Sequence, residues 1–93
     1  MTSMGKNEWS EFLKNFNFNE SNSQFIRNLS QTYPQLSPAE FRVCCYLRAG
    51  FSNGEICEAL DLRQRSVEAT RYRLRKKLPI QSHEDLTIFL MKI

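Results

Sequence analysis

An all-α fold is predicted by the composition of the chain and by repeated signals for helix starts. The 93 residues include only three Gly, three Pro and two Val, so residues that favour strands and tight turns are scarce. At three places a Ser is followed three residues later by an acid, a pattern in which both side chains bond free amides at a helix start. The pairs are Ser37 with Glu40, Ser52 with Glu55, and Ser82 with Asp85. With apolar residues at helical spacing, they predict helices at about 38–49, 53–60, 64–77 and 83–92.

The N-terminal third carries two further apolar patterns with helical spacing. The first consists of Trp9, Phe12, Leu13 and Phe16, and the second of Phe25, Ile26, Leu29 and Tyr33. An Asn- and Ser-rich stretch at 16–23 separates them and predicts a loop. We expect residues 1–33 to form an extension of one or two amphipathic helices. It either packs on the rest of the chain or, as its aromatic density favours, contacts a partner chain or belongs to a linker.

The residues around the four later helices support their predicted boundaries. Pro38 stands at a first helical position, where its missing N–H costs nothing, and Gly50 can close the same helix. Pro79 ends the third helix. The residues expected to face the core are Val43, Cys44 and Leu47, then Ile56, Cys57 and Leu60, then Val67, Leu74 and Leu78 with Thr70 or Arg71 between them, and finally Leu86, Phe89, Leu90 and Ile93.

The third predicted helix holds most of the positive charge. Between Arg63 and Lys77 there are seven cations and one acid, a local charge of +6, whereas the rest of this +3 chain sums to −3. A helix stabilised by its own charges would interleave acids with bases, but Glu68 has no cation four residues away. A solvated basic helix without a ligand is the alternative. The one-sided charge favours a surface that binds a polyanion.

A short connection joins the second and third predicted helices. It consists of Asp61, Leu62 and Arg63, of which Asp61 tolerates the left-handed backbone of a tight turn and Leu62 can pack between the helices. Two helices joined by three or four residues form a helix-turn-helix, whose second helix enters the major groove of DNA. The basic helix is the second member here. Its charge, its periodicity and the turn before it therefore all indicate the helix that enters the major groove.

Cysteine and histidine indicate no catalytic or metal chemistry. Cys44, Cys45 and Cys57 lack the spacing of metal ligands or redox pairs, and we expect them to fill the core of a cytoplasmic protein. His83 stands beside two acids and has no nucleophile near it in the sequence, so we expect an exposed residue. We predict no enzyme activity, no cofactor, no metal and, without a long apolar run, no membrane contact.

One set of residues falls at a family's spacing without gaps: Leu36, Ser37, Glu40, Val43, Leu47, Gly50, Ser52, Asn53, Glu55, Ile56, Leu60, Ser66, Val67, Leu74, Lys77 and Leu78. With this pattern the chain resembles the LuxR/GerE-type helix-turn-helix family of bacterial transcription regulators. The preceding stretch from Phe25 to Leu36 and the ending R-Y-R-L-R-K-K resemble a variant that serves as the output module of large sensor proteins. The resemblance implies a LuxR-like four-helix domain at 34–93 that binds double-stranded DNA, often as a homodimer.

The resemblance also assigns site residues. It implies that Glu68, Ala69 and Tyr72 face base edges, and that Arg65 and Ser66 meet phosphates at the helix start. Arg63, also placed in the DNA-binding set, stands where the family usually has a Ser or Thr cap. The expected phosphate clamps are Arg71, Arg73, Arg75 and Lys76. In the family the last helix commonly supplies the dimer contact, here Leu86, Phe89, Leu90 and Ile93, to which we add Trp9, Phe12 and Phe16.

A protein-interaction module on the same scaffold is the alternative function. Its basic helix would dock an acidic partner or the transcription machinery, in the manner of region four of sigma factors. RNA polymerase or a parent sensor module would then be the partner. DNA binding at physiological salt separates the two hypotheses, because an interaction module should ignore DNA.

Overall fold

The computed structural model describes residues 20–93, with side chains from residue 23 onward. In this range the chain forms five helices and no strand: α1 Glu20–Thr32, α2 Pro38–Arg48, α3 Asn53–Leu60, α4 Gln64–Lys77 and α5 Leu86–Met91. The all-α fold class is confirmed, and so are the four helices predicted after residue 34, although the last is shorter than predicted. The helical face predicted for Trp9, Phe12, Leu13 and Phe16 lies outside the described residues.

Helix α2 is the centre of the described fold, because each of the other four helices packs against it. A helix surrounded in this way needs apolar residues around most of its circumference. Its buried apolar residues are Phe41, Val43, Cys44, Cys45, Tyr46 and Leu47. Helix α3 also packs against α4. Helix α4 is therefore supported from two directions, by α2 and by α3, and its remaining surface faces outward.

Capping boxes begin α2 and α3, as predicted. The Ser37 hydroxyl accepts a hydrogen bond from the Glu40 amide at 3.2 Å, while Glu40 Oε1 accepts one from the Ser37 amide at 2.8 Å. Ser52 and Glu55 make the same pair of bonds at 3.2 and 2.9 Å. Each box satisfies two amides that the helix itself leaves without a partner, and this fixes where the two helices begin.

The turn between α3 and α4 has the predicted backbone. Asp61 adopts a left-handed conformation, with φ 53° and ψ 49°, and ends α3. The Leu62 amide donates to the Cys57 carbonyl at 2.9 Å, which closes the last turn of α3. The Leu62 side chain packs against the core, as expected for an apolar residue between two helices. This turn joins the two helices through three residues and sets the direction of α4.

Helix α5 begins three residues later than predicted. Its N-cap is Asp85, which accepts a hydrogen bond from the Ile88 amide at 3.1 Å, so the predicted Ser82–Asp85 capping box is wrong. The reason lies in α4, because the Arg75 guanidinium binds the carbonyl oxygens of Gln81, Ser82 and Glu84. Residues 79–85 are therefore held as a loop, and only Leu86–Met91 is helical.

Helix α1 covers one side of α2. Phe25 and Leu29 are buried, and Ile26 and Tyr33 pack partly buried against the core, so this predicted face is confirmed. The described residues begin at Glu20 and are helical from there, so the predicted loop is wrong for residues 20–23. Within residues 20–93 no helix has the length and apolar character needed to cross a membrane.

Candidate nucleic-acid interface

Helix α4 has one buried face that attaches it to the fold. Val67, Thr70 and Leu74 are buried, and Leu78 continues the same line just beyond the helix. This confirms the predicted valine–leucine stripe and shows that Thr70, rather than Arg71, lies between its members. The Thr70 hydroxyl donates to the Ser66 carbonyl at 2.9 Å, so this buried polar atom keeps a hydrogen bond.

The opposite face of α4 is exposed and holds the predicted base-facing residues. Glu68, Ala69 and Tyr72 all lie on it, and Tyr72 keeps 64% of its surface accessible. The side-chain amide of Gln64 donates to Glu68 Oε1 at 3.2 Å. The Lys76 ammonium lies 5.3 Å from the centre of the Tyr72 ring. A large aromatic ring left this exposed on a polar helix is available for contact with a ligand.

The N-terminus of α4 differs from those of α2 and α3. Arg63 takes the N-cap position in an extended conformation, with φ −79° and ψ 153°, and its side chain makes no capping bond. The first turn holds no acid, and Arg65 and Ser66 are exposed there. Amides without a side-chain cap and a positive dipole end make this helix start suited to an anion such as phosphate.

Two of the cations in the basic run bind a buried acid. Arg73 Nε lies 3.2 Å from Glu40 Oε2, and Lys77 Nζ lies 2.8 Å from Glu40 Oε1. Glu40 is only 2% exposed, so this arrangement ties α4 to the central helix α2. Burial on its own would raise the pKa of Glu40, but hydrogen bonds from Lys77, Ser37 and Arg73, together with the Lys77 charge, hold that pKa below its ordinary value.

Arg75 is bound to the loop that follows α4. Its guanidinium donates to the Glu84 carbonyl at 2.8 Å and to the Gln81 and Ser82 carbonyls at 3.0 Å. Arg73 also donates to the Thr70 hydroxyl at 3.0 Å. Both arginines, predicted as phosphate clamps, therefore have hydrogen bonds within the chain. We call Arg73, Arg75 and Lys77 the bracing cations and do not count them as phosphate-binding side chains.

The other four cations of the run have no hydrogen bond or ion pair of this kind. The side chains of Arg63, Arg65 and Arg71 make no hydrogen bond or ion pair with another residue in the range 20–93. Lys76 has the Tyr72 ring as its neighbour. We call these four the outer cations. They are spread from the start of α4 almost to its end, so positive charge flanks Glu68, Ala69 and Tyr72.

The dimer contact predicted for α5 needs correction. Leu86 and Leu90 are buried in the core of their own chain, so they are not available to a second chain. Phe89 and Ile93 are partly buried and line an open groove of about 370 Å³ beside Tyr33. The exposed apolar residues of α5 are Ile88 at 54% and Met91 at 61%, and sequence analysis did not select them. Trp9, Phe12 and Phe16 lie outside the described residues.

The cysteines have the surroundings of core residues. Cys44 and Cys45 are buried and Cys57 is partly buried, and all three are free thiols. Burial raises the pKa of the Cys44 thiol to about 12, and it raises that of Cys45 as well, so neither forms a reactive thiolate near neutral pH. His83 is exposed, as predicted.

Sequence reasoning missed two residues that organise this surface. The sequence assigns Glu40 to a capping box and to the family's spacing, but Glu40 also binds cations 33 and 37 residues away in the chain. Gln64, whose contact with Glu68 spans one helical turn, was treated only as the start of a helix. The spacing of Gln64 and Glu68 was visible in the sequence as a possible i,i+4 pair, whereas no local pattern indicated the partners of Glu40.

Comparison with known proteins gives one match, to a family model that covers most of the described helices. The family model described as "Bacterial regulatory proteins, luxR family" matches residues 34–90, which include α2, α3, α4 and most of α5. No curated protein and no solved structure matches the chain. The matched range covers more than half of the 93 residues and contains both helices of the helix-turn-helix.

Proposed function

The chain belongs to the luxR family of bacterial regulatory proteins, and we propose that it binds double-stranded DNA sequence-specifically, with α4 in the major groove. Membership of this family makes the matched region a helix-turn-helix, DNA-binding domain of a transcription regulator. The proposal goes further, because it names the helix, the groove and the side chains. It also assigns the bound form as a homodimer acting in the cytoplasm.

The observation that carries the proposal is the outward surface of α4. Four outer cations share this surface with Glu68, Ala69 and Tyr72, while the buried face of the same helix fixes it to α2 and α3. A helix of 14 residues is roughly 21 Å long and, with side chains, about 10–12 Å wide, and the major groove is about 12 Å wide. Helix α4 can therefore lie in the groove while its inner face remains packed.

We divide the outer residues by the chemistry that each can perform. Arg63, Arg65 and Ser66 at the helix start, with Arg71 and Lys76 along its side, bind phosphates and provide most of the affinity. Glu68, Ala69 and Tyr72 meet base edges and provide selectivity, since carboxylate, methyl and phenol groups each complement different bases. This division assigns affinity and sequence preference to different side chains.

The homodimer part of the proposal places α5 at the contact between chains. Ile88 and Met91 are exposed apolar residues on this helix, and Phe89 and Ile93 line the groove beside it. Trp9, Phe12 and Phe16 are further candidates from the N-terminal region. Two copies related by a two-fold axis would present two α4 helices to two half-sites of one duplex. RNA polymerase or a parent sensor module is the further partner through which such a domain would regulate.

A salt titration with duplex DNA tests the proposal. If the four outer cations meet phosphates, the plot of log K against log salt for one domain should have a slope of about −3.6. Methylation of guanine N7, which lies in the major groove, should interfere with binding, whereas methylation of adenine N3 in the minor groove should not. Sedimentation of the complex should give two chains per duplex. A chain that ignores DNA at physiological salt but binds an acidic polypeptide would instead support the interaction module.

A further inference from the structure

One exposed row of side chains on α4 is organised by its own contacts. Gln64, Glu68, Tyr72 and Lys76 stand four residues apart, so they lie along one ridge of the helix. The side-chain amide of Gln64 donates to Glu68 Oε1 at 3.2 Å, and the Lys76 ammonium lies over the Tyr72 ring, 5.3 Å from its centre. The ridge therefore consists of two ordered pairs of side chains that already have partners in the free protein.

Glu68 has an unusual electrostatic position in this ridge. It is the one acid in a run that contains seven cations, yet within residues 20–93 it forms no ion pair. Arg65 and Arg71 stand three residues before and after it, but neither guanidinium forms an ion pair with it. A carboxylate on a surface that approaches phosphates is repelled by them, so it weakens binding to DNA unless the bound DNA offers it a hydrogen-bond donor.

The major groove presents such donors in one chemical form. Cytosine N4 and adenine N6 are exocyclic amino groups, whereas guanine presents the acceptors N7 and O6 and thymine presents O4 and a methyl group. Glu68 can accept from an amino group and is repelled by acceptor atoms. Gln64 binds Oε1, so Oε2 is the carboxylate oxygen that has no partner within residues 20–93 and is the freer of the two to accept from a base.

We propose that Gln64 and Glu68 form a specificity pair in which Glu68 Oε2 accepts a hydrogen bond from an exocyclic amino group of the contacted strand and Gln64 is the positioning residue. The pair selects cytosine or adenine and rejects guanine or thymine at one position of each half-site. This inference rests on the proposed function, because it requires α4 to lie in the major groove. It adds the chemical class of base and gives Gln64 a role.

The test begins with duplexes that the full 93-residue chain selects from a random pool. Each position of the half-site is then replaced by all four base pairs, and binding is measured for the wild type, Glu68→Gln and Gln64→Ala. Both side chains are exposed, so neither change should disturb the fold. Glu58→Gln, on exposed α3 surface, removes the same charge elsewhere, and Gln31→Ala removes an exposed amide from α1.

At one position the wild type should prefer cytosine or adenine over guanine or thymine by roughly ten-fold, the effect of about one well-placed hydrogen bond. Glu68→Gln should reduce this preference to within about two-fold, because its amide can donate as well as accept. Gln64→Ala should reduce the preference for cytosine or adenine at the same position by a few fold and leave the base preferences at the other positions unchanged. The two control variants should keep the wild-type profile, and comparing cytosine with adenine identifies which amino group is bound.

Three results would overturn the inference in distinguishable ways. A wild type that binds DNA with the same base profile as Glu68→Gln would remove the specificity pair and leave the proposed function intact. An equal change of profile in Glu58→Gln would assign the effect to net charge and also remove the pair. A wild type that binds no DNA would remove the proposed function, and the specificity pair with it.

Discussion

The bracing cations and the outer cations occupy the same basic run but use their charge differently. Arg73, Arg75 and Lys77 bind Glu40, Thr70 or backbone carbonyls, whereas Arg63, Arg65 and Arg71 make no such bond within the described part of the chain. The residue types are similar, and what differs is whether the side chain binds a partner within the chain. A local charge of +6 therefore overstates the charge available to a polyanion. Part of it stabilises the fold that presents the rest.

The largest effect is expected when the acid that holds two bracing cations is removed. Glu40→Gln keeps the size of the side chain but loses two charge-assisted bonds, and it should lower the free energy of unfolding by about 2 kcal/mol at pH 7. The loss is below that for stranding a buried charge, because Arg73 and Lys77 are exposed enough to be hydrated. Urea unfolding measures it, and Glu58→Gln, on exposed α3 surface, should leave stability unchanged.

The same variant has a predicted pH dependence. Since the pKa of Glu40 is held below its ordinary value of 4.5, its stabilising contribution is fully present above pH 4.5 and is lost as pH falls through the lowered pKa. The difference in unfolding free energy between the wild type and Glu40→Gln should therefore shrink below pH 4.5. A difference that stays constant down to low pH would show that the ionised carboxylate does not hold α4 in place.

A smaller effect is expected from the bracing cation that binds the loop. Arg75→Ala should cost about 1–2 kcal/mol, because three carbonyl oxygens lose a charged donor but two of them can turn to water. Lys76→Ala, at the next position, should cost almost nothing. Thermal unfolding compares them, and amide hydrogen exchange should show faster exchange in residues 79–85 for Arg75→Ala alone. Arg75→Lys should recover little, since an ammonium lacks the planar fork. Equal losses of stability for Arg75→Ala and Lys76→Ala would contradict the division into bracing and outer cations.

The smallest stability effect is expected at an outer cation, and with the opposite sign. Arg63→Ser would place a hydroxyl at the N-cap of α4, where the backbone is already extended, and should raise stability by about 0.5–1 kcal/mol. It should also weaken DNA binding, because a cation and an uncapped anion site are lost together. Arg63→Ala should weaken binding without the gain in stability. If Arg63→Ser bound DNA as tightly as the wild type, this helix start would not be a phosphate contact.

Local patterns predicted most of the fold but not the division of the cations. Ser37 and Glu40 predicted where α2 begins because a capping box is complete within four residues, and Asp61 predicted the turn because few residue types accept a left-handed backbone. The ion pairs of Glu40 span 33 and 37 residues, so they depend on how α4 crosses α2. The start of α5 was wrong for a similar reason, since Arg75 lies outside the segment whose boundary it sets.

In the candidate site, too, local patterns predicted some features and missed those that depend on contacts between distant residues. Periodicity separated the buried face of α4 from the exposed one, and Glu68, Ala69 and Tyr72 are indeed exposed. Periodicity could not separate Arg71 from Arg73, because a long flexible side chain can reach either solvent or a neighbouring helix. Leu86 and Leu90, two of the residues predicted for a dimer contact, are buried because an apolar stripe of this length first fills the core of its own domain.

Two charge-matched double variants test most directly whether the outer cations bind DNA. Arg65→Ala with Arg71→Ala should weaken binding to every duplex and make the salt slope less steep by about 1.8, with unfolding free energy unchanged. Arg73→Ala with Arg75→Ala should lower the unfolding free energy and, where the protein is still folded, leave most of the slope. Equal slopes for the two variants, or an unchanged slope for the outer pair, would contradict the account.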